Sequence, residues 1–368
     1  MAKSEAASLV SEFNIKDYAD LDYIREDQIE DVIRLYQEVY NVDPRHILTQ
    51  RNYPYPEVFD PEWVRRTAFH PDTIWKLVTD VRTGQVIGSG TVQLDRANQR
   101  AYVRGIMIHP QYQGFKLGGY ILVNAFKELI RDYRDMIKIF WTENRTAHVK
   151  SQKMAEASGM YPVALLPLKD YFLSQRETDI LYVLYSMNIF RQRRAELRLI
   201  PEILPTFEVI RKQFRLDSVE PEPSIDISNS NGYQVTYHSV CDKYYYKYYT
   251  FKINGTYLKF MVNPRTQAAE KMHFPQEIAP SILKRLLRYA LRVVSPFYIE
   301  CYISAYEPAI QQVFIDLGFQ ATGYIPAWET IDGHREDRIL MSRVQAYPRL
   351  TDLKLTPRGV KLAKLFLT

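Results

Sequence analysis

The 368 residues contain two cysteines, Cys241 and Cys301, which excludes a disulfide framework and any CxxC metal pair. A reducing, cytoplasmic setting is the expectation. The first residues, MAKSEAASLVSEF, lack the apolar core of a signal peptide, and nowhere do 18 apolar residues run together, so no stable membrane insertion is expected. Nor is there a basic run of five or more residues or an RNP-like or zinc-finger pattern, which argues against nucleic acid as a partner. The net charge of +5 comes from 48 basic and 43 acidic residues. A surface that mildly basic suits an anionic cofactor as well as it suits RNA.

Aromatic residues reach 13% and hydrophobic ones 46%, a folded composition, and the length suggests two domains. The spacing of Ile29, Val32, Ile33, Tyr36, Val39 and Tyr40 predicts a helix. After the connection NYPYPEVFDPEW, the run KLVTDVRTGQVIGSGTVQL reads as two strands, and RAYVRGIMI as a third, which makes an antiparallel meander. YILVNAFKELIRDYR is a helix, IKIFWTE a strand, SQKMAEASG a helix ending at Gly159, and 161–168 with TDILYVLYSM closes the unit as strands. A basic helical stretch from Asn188 to Arg215 and the linker SVEPEPSIDISNSNG follow. The five tyrosines between Tyr244 and Tyr249 read as strand residues, and Asn254-Gly255 as a type I′ hairpin turn. At the C-terminus Thr356 and Pro357 start a helix that is expected to dock.

An internal repeat is visible at one constant offset of 159: Gly159 with Gly318, Pro167 with Pro326, Arg176 with Arg335, Glu177 with Glu336, Ile180 with Ile339 and Leu181 with Leu340. Upstream, GIMIHP corresponds loosely to KFMVNP, where Pro264 is followed by RTQAAEKMHF and no glycine turn. The expected organisation is an N-terminal extension (1–21), a first domain (22–187), a helical stretch and linker (188–232), a degenerate second lobe (233–345) and a C-terminal helix (346–368).

Between the strand ending at Ile108 and the following helix, Gln113, Gly114, Gly118 and Gly119 allow a sharp turn. Backbone amides at a helix start, approached closely because glycine has no Cβ, form an anion site that fits a pyrophosphate. The whole run VRGIMIHPQYQGFKLGGYIL resembles motif A of the GNAT N-acyltransferases, and the likeness extends over about residues 22–187, including Gly159-Met160 in place of the usual Gly-Phe. NYPYPEVFDPEW is faintly similar to the β-lysine N-acetyltransferase branch. The resemblance implies an α+β GNAT fold, a mixed and mostly antiparallel sheet with helices on both faces, here duplicated. It implies acyl-CoA as co-substrate, with Ile106, Met107 and Ile108 pairing with pantetheine. Gln113, Gly114, Phe115, Lys116, Leu117, Gly118 and Gly119 would wrap the pyrophosphate.

It further implies transfer of an acyl group, acetyl by default and longer by option, to a primary amine of a basic amino acid or of a peptide lysine or ornithine. No metal is expected, and a homodimer is left open. The pattern departs from the family at Lys116, at Ala155 in place of a tyrosine acid, and at Tyr102 and Gly105, where the β-lysine branch has acidic residues. The ammonium of the acceptor must lose a proton, so a base is required. The candidates are Glu143, at the end of the central strand, and His148, with Asp95 a distant third; Asn144 lies nearby. The alternative is a decayed tandem that senses acyl-CoA or binds a partner without turnover.

Overall fold

The computed structural model describes residues 19–113, 117–186, 188–228 and 234–367, with residues 117–124 described by their backbone alone. In chain order the first half contains β1 (Ala19–Tyr23), α1 (Ile29–Tyr40), α2 (Pro61–Ala68), β2 (Thr73–Asp80), β3 (Val86–Asp95), β4 (Arg100–Ile108) and α3 (Leu117–Tyr133). It continues with β5 (Ile139–Arg145), α4 (Lys150–Ala157), β6 (Tyr161–Phe172) and β7 (Gln175–Tyr185). After α5 (Leu204–Phe214) come β8 (Thr236–Cys241), β9 (Lys247–Ile253), β10 (Thr256–Asn263), β11 (Ala268–His273) and α6 (Pro280–Val294). The chain ends with β12 (Tyr298–Ser304), α7 (Pro308–Asp316), β13 (Gln320–Ile331), β14 (His334–Val344) and α8 (Pro357–Ala363).

Local chemistry sets several of these boundaries. α1 buries Ile29, Val32, Ile33, Leu35 and Tyr36 and stops where Asn41 turns left-handed. Asp60 caps α2 by accepting from the Glu62 amide at 3.0 Å, with Pro61 in the first turn. Thr356 and Pro357 do the same for α8, as the sequence led us to expect. Asn254 and Gly255 both take positive φ in the β9–β10 hairpin.

All fourteen described strands form one sheet in the order β1-β2-β3-β4-β5-β7-β6-β13-β14-β12-β11-β10-β9-β8. Read inward from its two ends, the two halves have the same strand order. Pairing is antiparallel except between β4 and β5 and between β11 and β12, so this is the mixed, mostly antiparallel sheet of the GNAT fold. The halves join at β6 and β13, where Gly323 pairs with Ala164, two positions that are themselves 159 apart. The backbone repeats as well. Leu168 and Ala327, Leu173 and Asp332, Ser174 and Gly333, and Gly159 and Gly318 are all left-handed, each pair at that same offset.

The halves also exchange their following helices. α5 comes after the first half, yet Phe207 packs edge-on to Tyr324 of β13 at 4.9 Å and the Thr206 hydroxyl donates to the Ala321 carbonyl at 2.8 Å. α8 comes after the second half, yet Thr356 meets Tyr182, Glu156 and Gln152 of the first. One hydrophobic core therefore runs through both halves, with a smaller cluster between α1, α2 and the meander.

The structure departs from the sequence reading in four places. KFMVNP forms β10, and the strand that pairs in parallel ahead of α6 is β11. The counterpart of MIHPQ (107–111) is thus MHFPQ (272–276), with Pro275 in the place of Pro110. β1 straddles the 21/22 boundary and pairs with β2 along its whole length. Tyr244, Tyr245 and Tyr246 lie in the turn between β8 and β9, so only Tyr248 and Tyr249 are strand residues. Before α5, the stretch 188–203 has only short 3-10 turns, Pro201 opening one of them and Pro205 standing in the first turn of α5.

Candidate functional site

The site begins with a β-bulge. In β4 Gly105 takes φ +61°, and between Ser89↔Met107 and Thr91↔Arg104 two β4 residues, Gly105 and Ile106, stand against the single β3 residue Gly90. A Cβ on Gly105 would stand 2.6 Å from the Tyr36 hydroxyl, so both the backbone angle and the neighbour require glycine. β4 pairs with β5 from Arg100↔Ile139 to Tyr102↔Trp141, and past the bulge the strands part. A cleft opens between them, and α3 starts at its end with Leu117, Gly118 and Gly119. Gly114, Phe115 and Lys116 lie outside the described residues.

A cavity of about 840 Å³ occupies this cleft and continues beneath α1. Ile106, Met107, Ile108 and Gln113 line it together, facing Phe126, Leu129, Met154 and Ala155. Gln113 is anchored, its side-chain amide donating to the Ile108 carbonyl at 3.0 Å. An unpaired strand edge and an apolar helix face in one cleft fit the amides and the methylenes of an acyl-CoA.

The other end of the cavity is aromatic and acidic. Tyr36, Tyr40, Tyr53, Tyr55 and Tyr102 form its walls, and Glu143, Asp170 and Asp179 lie among them. One carboxylate oxygen from each of these acids lies within 4.8 Å of the others. Alternation along β5 and β7 explains part of this, since Glu143 shares a face with Arg145, and Arg145 pairs with Asp179. Leu168, left-handed at φ 53°, bulges β6 and brings in Asp170. Behind the acids lies the Lys169 ammonium, 3.2 Å from Glu143, 3.4 Å from Glu270 and 3.3 Å from Glu300. The last two partners belong to the second half.

Five carboxylates thus surround one ammonium, and their proton affinities show it. Burial pushes Asp170 up to about 7 against the pull of Lys169, with Glu270 and Glu143 adding to the rise. Burial first, then Asp170 and Glu143, raises Asp179 well above the usual carboxylate range. Glu300 also rises to about 7 through burial, opposed by Lys169. Burial works against the Lys169 charge, but its three carboxylates hold the ammonium protonated. Asp170 accepts from the Tyr55 hydroxyl at 3.0 Å through one oxygen; its other oxygen and Asp179 Oδ1 are buried without a partner. Asn144 Nδ2 and Ser151 Oγ, from residues that also line the cavity, are unpartnered as well.

Of the sequence candidates, Glu143 reaches the cavity but is ion-paired with Lys169. His148 is exposed at the cavity rim, and burial of its ring and the nearby Arg145 lower its proton affinity. Asp95 stands apart, bound to Arg100 at 2.6 Å. Sequence reasoning missed Asp170, Asp179, Lys169 and Arg104. The repeat did hold a signal for two of them: Asp179 falls opposite Arg338 at the offset of 159 and Lys169 opposite Trp328, changes of charge inside an otherwise matched frame.

The second half also braces the wall of the cavity. Tyr246 donates to Glu57 at 2.8 Å, Tyr244 and Lys243 hold Asp60, and Asn263 and Arg265 donate to the Pro54 and Leu48 carbonyls. These contacts clamp the loop that carries Tyr53 and Tyr55.

Residues 31–160 match the acetyltransferase (GNAT) family. No curated protein sequence matches the chain. Among solved structures, the chain is similar to the ribosomal-protein-S5-alanine acetyltransferase of Vibrio fischeri, at 16% identity over 46% of this chain and 94% of that one, TM-score 0.38. It is also similar to the spermidine N-acetyltransferase of Vibrio cholerae in complex with CoA and spermine, at 12% identity over 46% and 95%, TM-score 0.37. The microcin C7 self-immunity acetyltransferase, in complex with acetyl-CoA and AMP, matches at 17% identity over 47% and 94%, TM-score 0.36.

Proposed function

We propose, for a chain that carries a GNAT acetyltransferase domain and is thereby an N-acyltransferase, that the acceptor is a small primary amine deprotonated in the acidic end of the cavity. The observation that carries this reading is the continuity of one cavity from the β4–β5 cleft to Asp170 and Asp179. An acyl-CoA held along β4, with its pyrophosphate at residues 113–119, would deliver its thioester to the bulge at Gly105. The acceptor ammonium would enter among the tyrosines and give a proton to the Asp170–Asp179 pair. A base near the ambient pH suits that task, and Asp170 at about 7 supplies one.

The freed amine attacks the thioester carbonyl, the C–S bond breaks with its electron pair on sulfur, the attacking nitrogen sheds its second proton as the amide forms, and the thiolate takes one proton. Ala155 cannot give that proton. The Ser151 hydroxyl, one turn earlier on the same face of α4 and unpartnered, is proposed to relay it. Glu143, held by Lys169, positions the cluster in this scheme, and His148 is left to the rim. Acetyl is the default group, a longer chain being accommodated beside Ala155. The organisation into a cofactor-binding domain over 22–187 and a non-binding lobe over 233–345, and a cytoplasmic location, belong to the same proposal.

The test is release of free thiol from acetyl-CoA and longer acyl-CoAs by the full chain with a panel of amines. Amine-dependent release is expected, and Gly118→Val should weaken acyl-CoA binding about tenfold, some 1.4 kcal/mol. Tight acyl-CoA binding with no release on any amine would instead favour the sensor reading.

A further inference from the structure

Among the described residues, Arg104 of the cavity is paired with no carboxylate. Arg104 lies on β4 one residue before the bulge and lines the cavity with Tyr102. Its guanidinium lies 5.9 Å from the Trp63 ring centroid and 6.0 Å from that of Tyr102. Among the described residues it makes no ion pair and no side-chain hydrogen bond. Glu57, its acidic neighbour, is occupied by the Tyr246 hydroxyl. Arginine presents a planar fork that binds a carboxylate through two parallel hydrogen bonds. A guanidinium held between aromatic rings beside accessible space is a preformed half of such a pair. In the same cavity, Asp170 and Asp179 each leave one buried oxygen unpartnered, and these oxygens call for a donor.

Resting on the N-acyltransferase reading above, we infer that the acceptor is zwitterionic: an amino acid whose carboxylate is bound by Arg104 and whose primary ammonium faces Asp170 and Asp179. A cation and a pair of acids lining one aromatic-walled cavity select a molecule carrying both charges. A plain diamine satisfies the acids but places nothing on Arg104. An N-acylated or peptide-linked acceptor qualifies only if it retains a free carboxylate.

The discriminating experiment uses the full chain loaded with acetyl-CoA and a panel of amino acids, each offered with its carboxamide and its decarboxylated amine. Calorimetric binding and thiol release are both read. The expected result is that the best ligand carries a carboxylate and that its amide and its decarboxylated amine bind at least tenfold more weakly. Arg104→Gln should abolish that preference, Arg104→Lys should retain part of it, and acetyl-CoA affinity should stay unchanged in both. Equal or better binding of the decarboxylated amines overturns the inference, as does an Arg104→Gln protein that loses acetyl-CoA binding, since Arg104 would then serve the co-substrate. Carboxylate-dependent binding without thiol release leaves the inference standing and overturns the acyltransferase reading instead.

Discussion

The two halves of the sheet are the same construction put to different use, and the residues at the offset of 159 show where they part. On the first side, Lys169 is held by Glu143 of its own half and Glu300 of the other. On the second, Trp328 takes the place of Lys169, Tyr302 that of Glu143 and Trp141 that of Glu300. Here the contacts are aromatic, with Trp328 stacked on Tyr302 at 6.0 Å and edge-on to Trp141 at 5.4 Å. Asp170 and Asp179 stand together uncompensated, whereas their counterparts Glu329 and Arg338 form an ion pair at 2.6 Å. At these two positions the second half has paired its charges, and the first has left one oxygen of each acid without a partner. Polar groups buried without a partner cost stability, and such a cost persists where a ligand supplies the partner.

The sharpest way to break this comparison is to give the first half the second half's chemistry. Asp179→Arg should pair with Asp170 as Arg338 pairs with Glu329, and lower kcat/KM for the amine by about 10²–10⁴-fold, the range of a lost general base. Acyl-CoA affinity should hold. In the parent, kcat/KM should rise with pH and reach half its plateau near the value of about 7 held by Asp170, because only the ionised carboxylate accepts a proton. A pH profile flat between 5 and 9 would exclude the pair as base. The same burial acts on stability with a definite sign: a carboxyl raised in the folded state stabilises fully below its unfolded value and loses that contribution as pH rises through about 7. Asp170→Asn should therefore raise the melting temperature relative to the parent more at pH 8 than at pH 5.

Next in size is Lys169→Met. Removing one member of a buried ion cluster strands the others, a loss of about 3–5 kcal/mol. Urea unfolding should show it, and Glu300→Gln in the same chain should recover part by removing one stranded charge. If Lys169→Met is as stable as the parent, then the cluster is protonated throughout and Lys169 is not its counter-ion. Trp328, doing the equivalent job by packing, offers the contrast: Trp328→Phe loses contact area but leaves no charge behind.

Much of the fold was legible because its signals are local. The stripe on α1 and the Asn254-Gly255 turn each depend on neighbours within a few residues. The repeat was legible where a constant offset held, from Gly159 onward. It failed upstream because β10 and β11 are both short strands followed by a proline, so Pro264 could stand in for Pro275 until parallel pairing with β12 decided between them. The site was only partly legible. Ile106 to Ile108 and Gln113 lie on the strand-turn-helix run itself, so they could be read directly. Asp170 could not, since it reaches the cavity through the left-handed bend at Leu168, which no sequence rule assigns to leucine. Glu270 and Glu300 act from the other half, across a joint that only the assembled sheet makes.

That joint provides the smallest and most local test. At the midpoint between the halves, Gly323 faces Ala164, its own counterpart in the repeat. A Cβ built on Gly323 would stand 2.2 Å from the Ala164 Cβ and 2.8 Å from its Cα. Two alanines therefore cannot face each other there; one side must be glycine. Gly323→Ala should force β6 and β13 apart and cost about 1–3 kcal/mol, the usual price of overpacking, read as a lower urea midpoint. Ala164→Gly in the same chain should recover only part of the loss, because the Ala164 Cα remains too close. Gly318→Ala provides the control, since its Cβ would have nothing nearer than 3.7 Å and its cost comes from a positive φ alone. Because Lys169 and Asp170 follow Ala164 on β6, opening the joint should also raise KM for the amine more than it lowers stability would explain. A Gly323→Ala protein as stable and as active as the parent would mean that the halves can slide past each other at this point and that the acidic cluster does not depend on their registry.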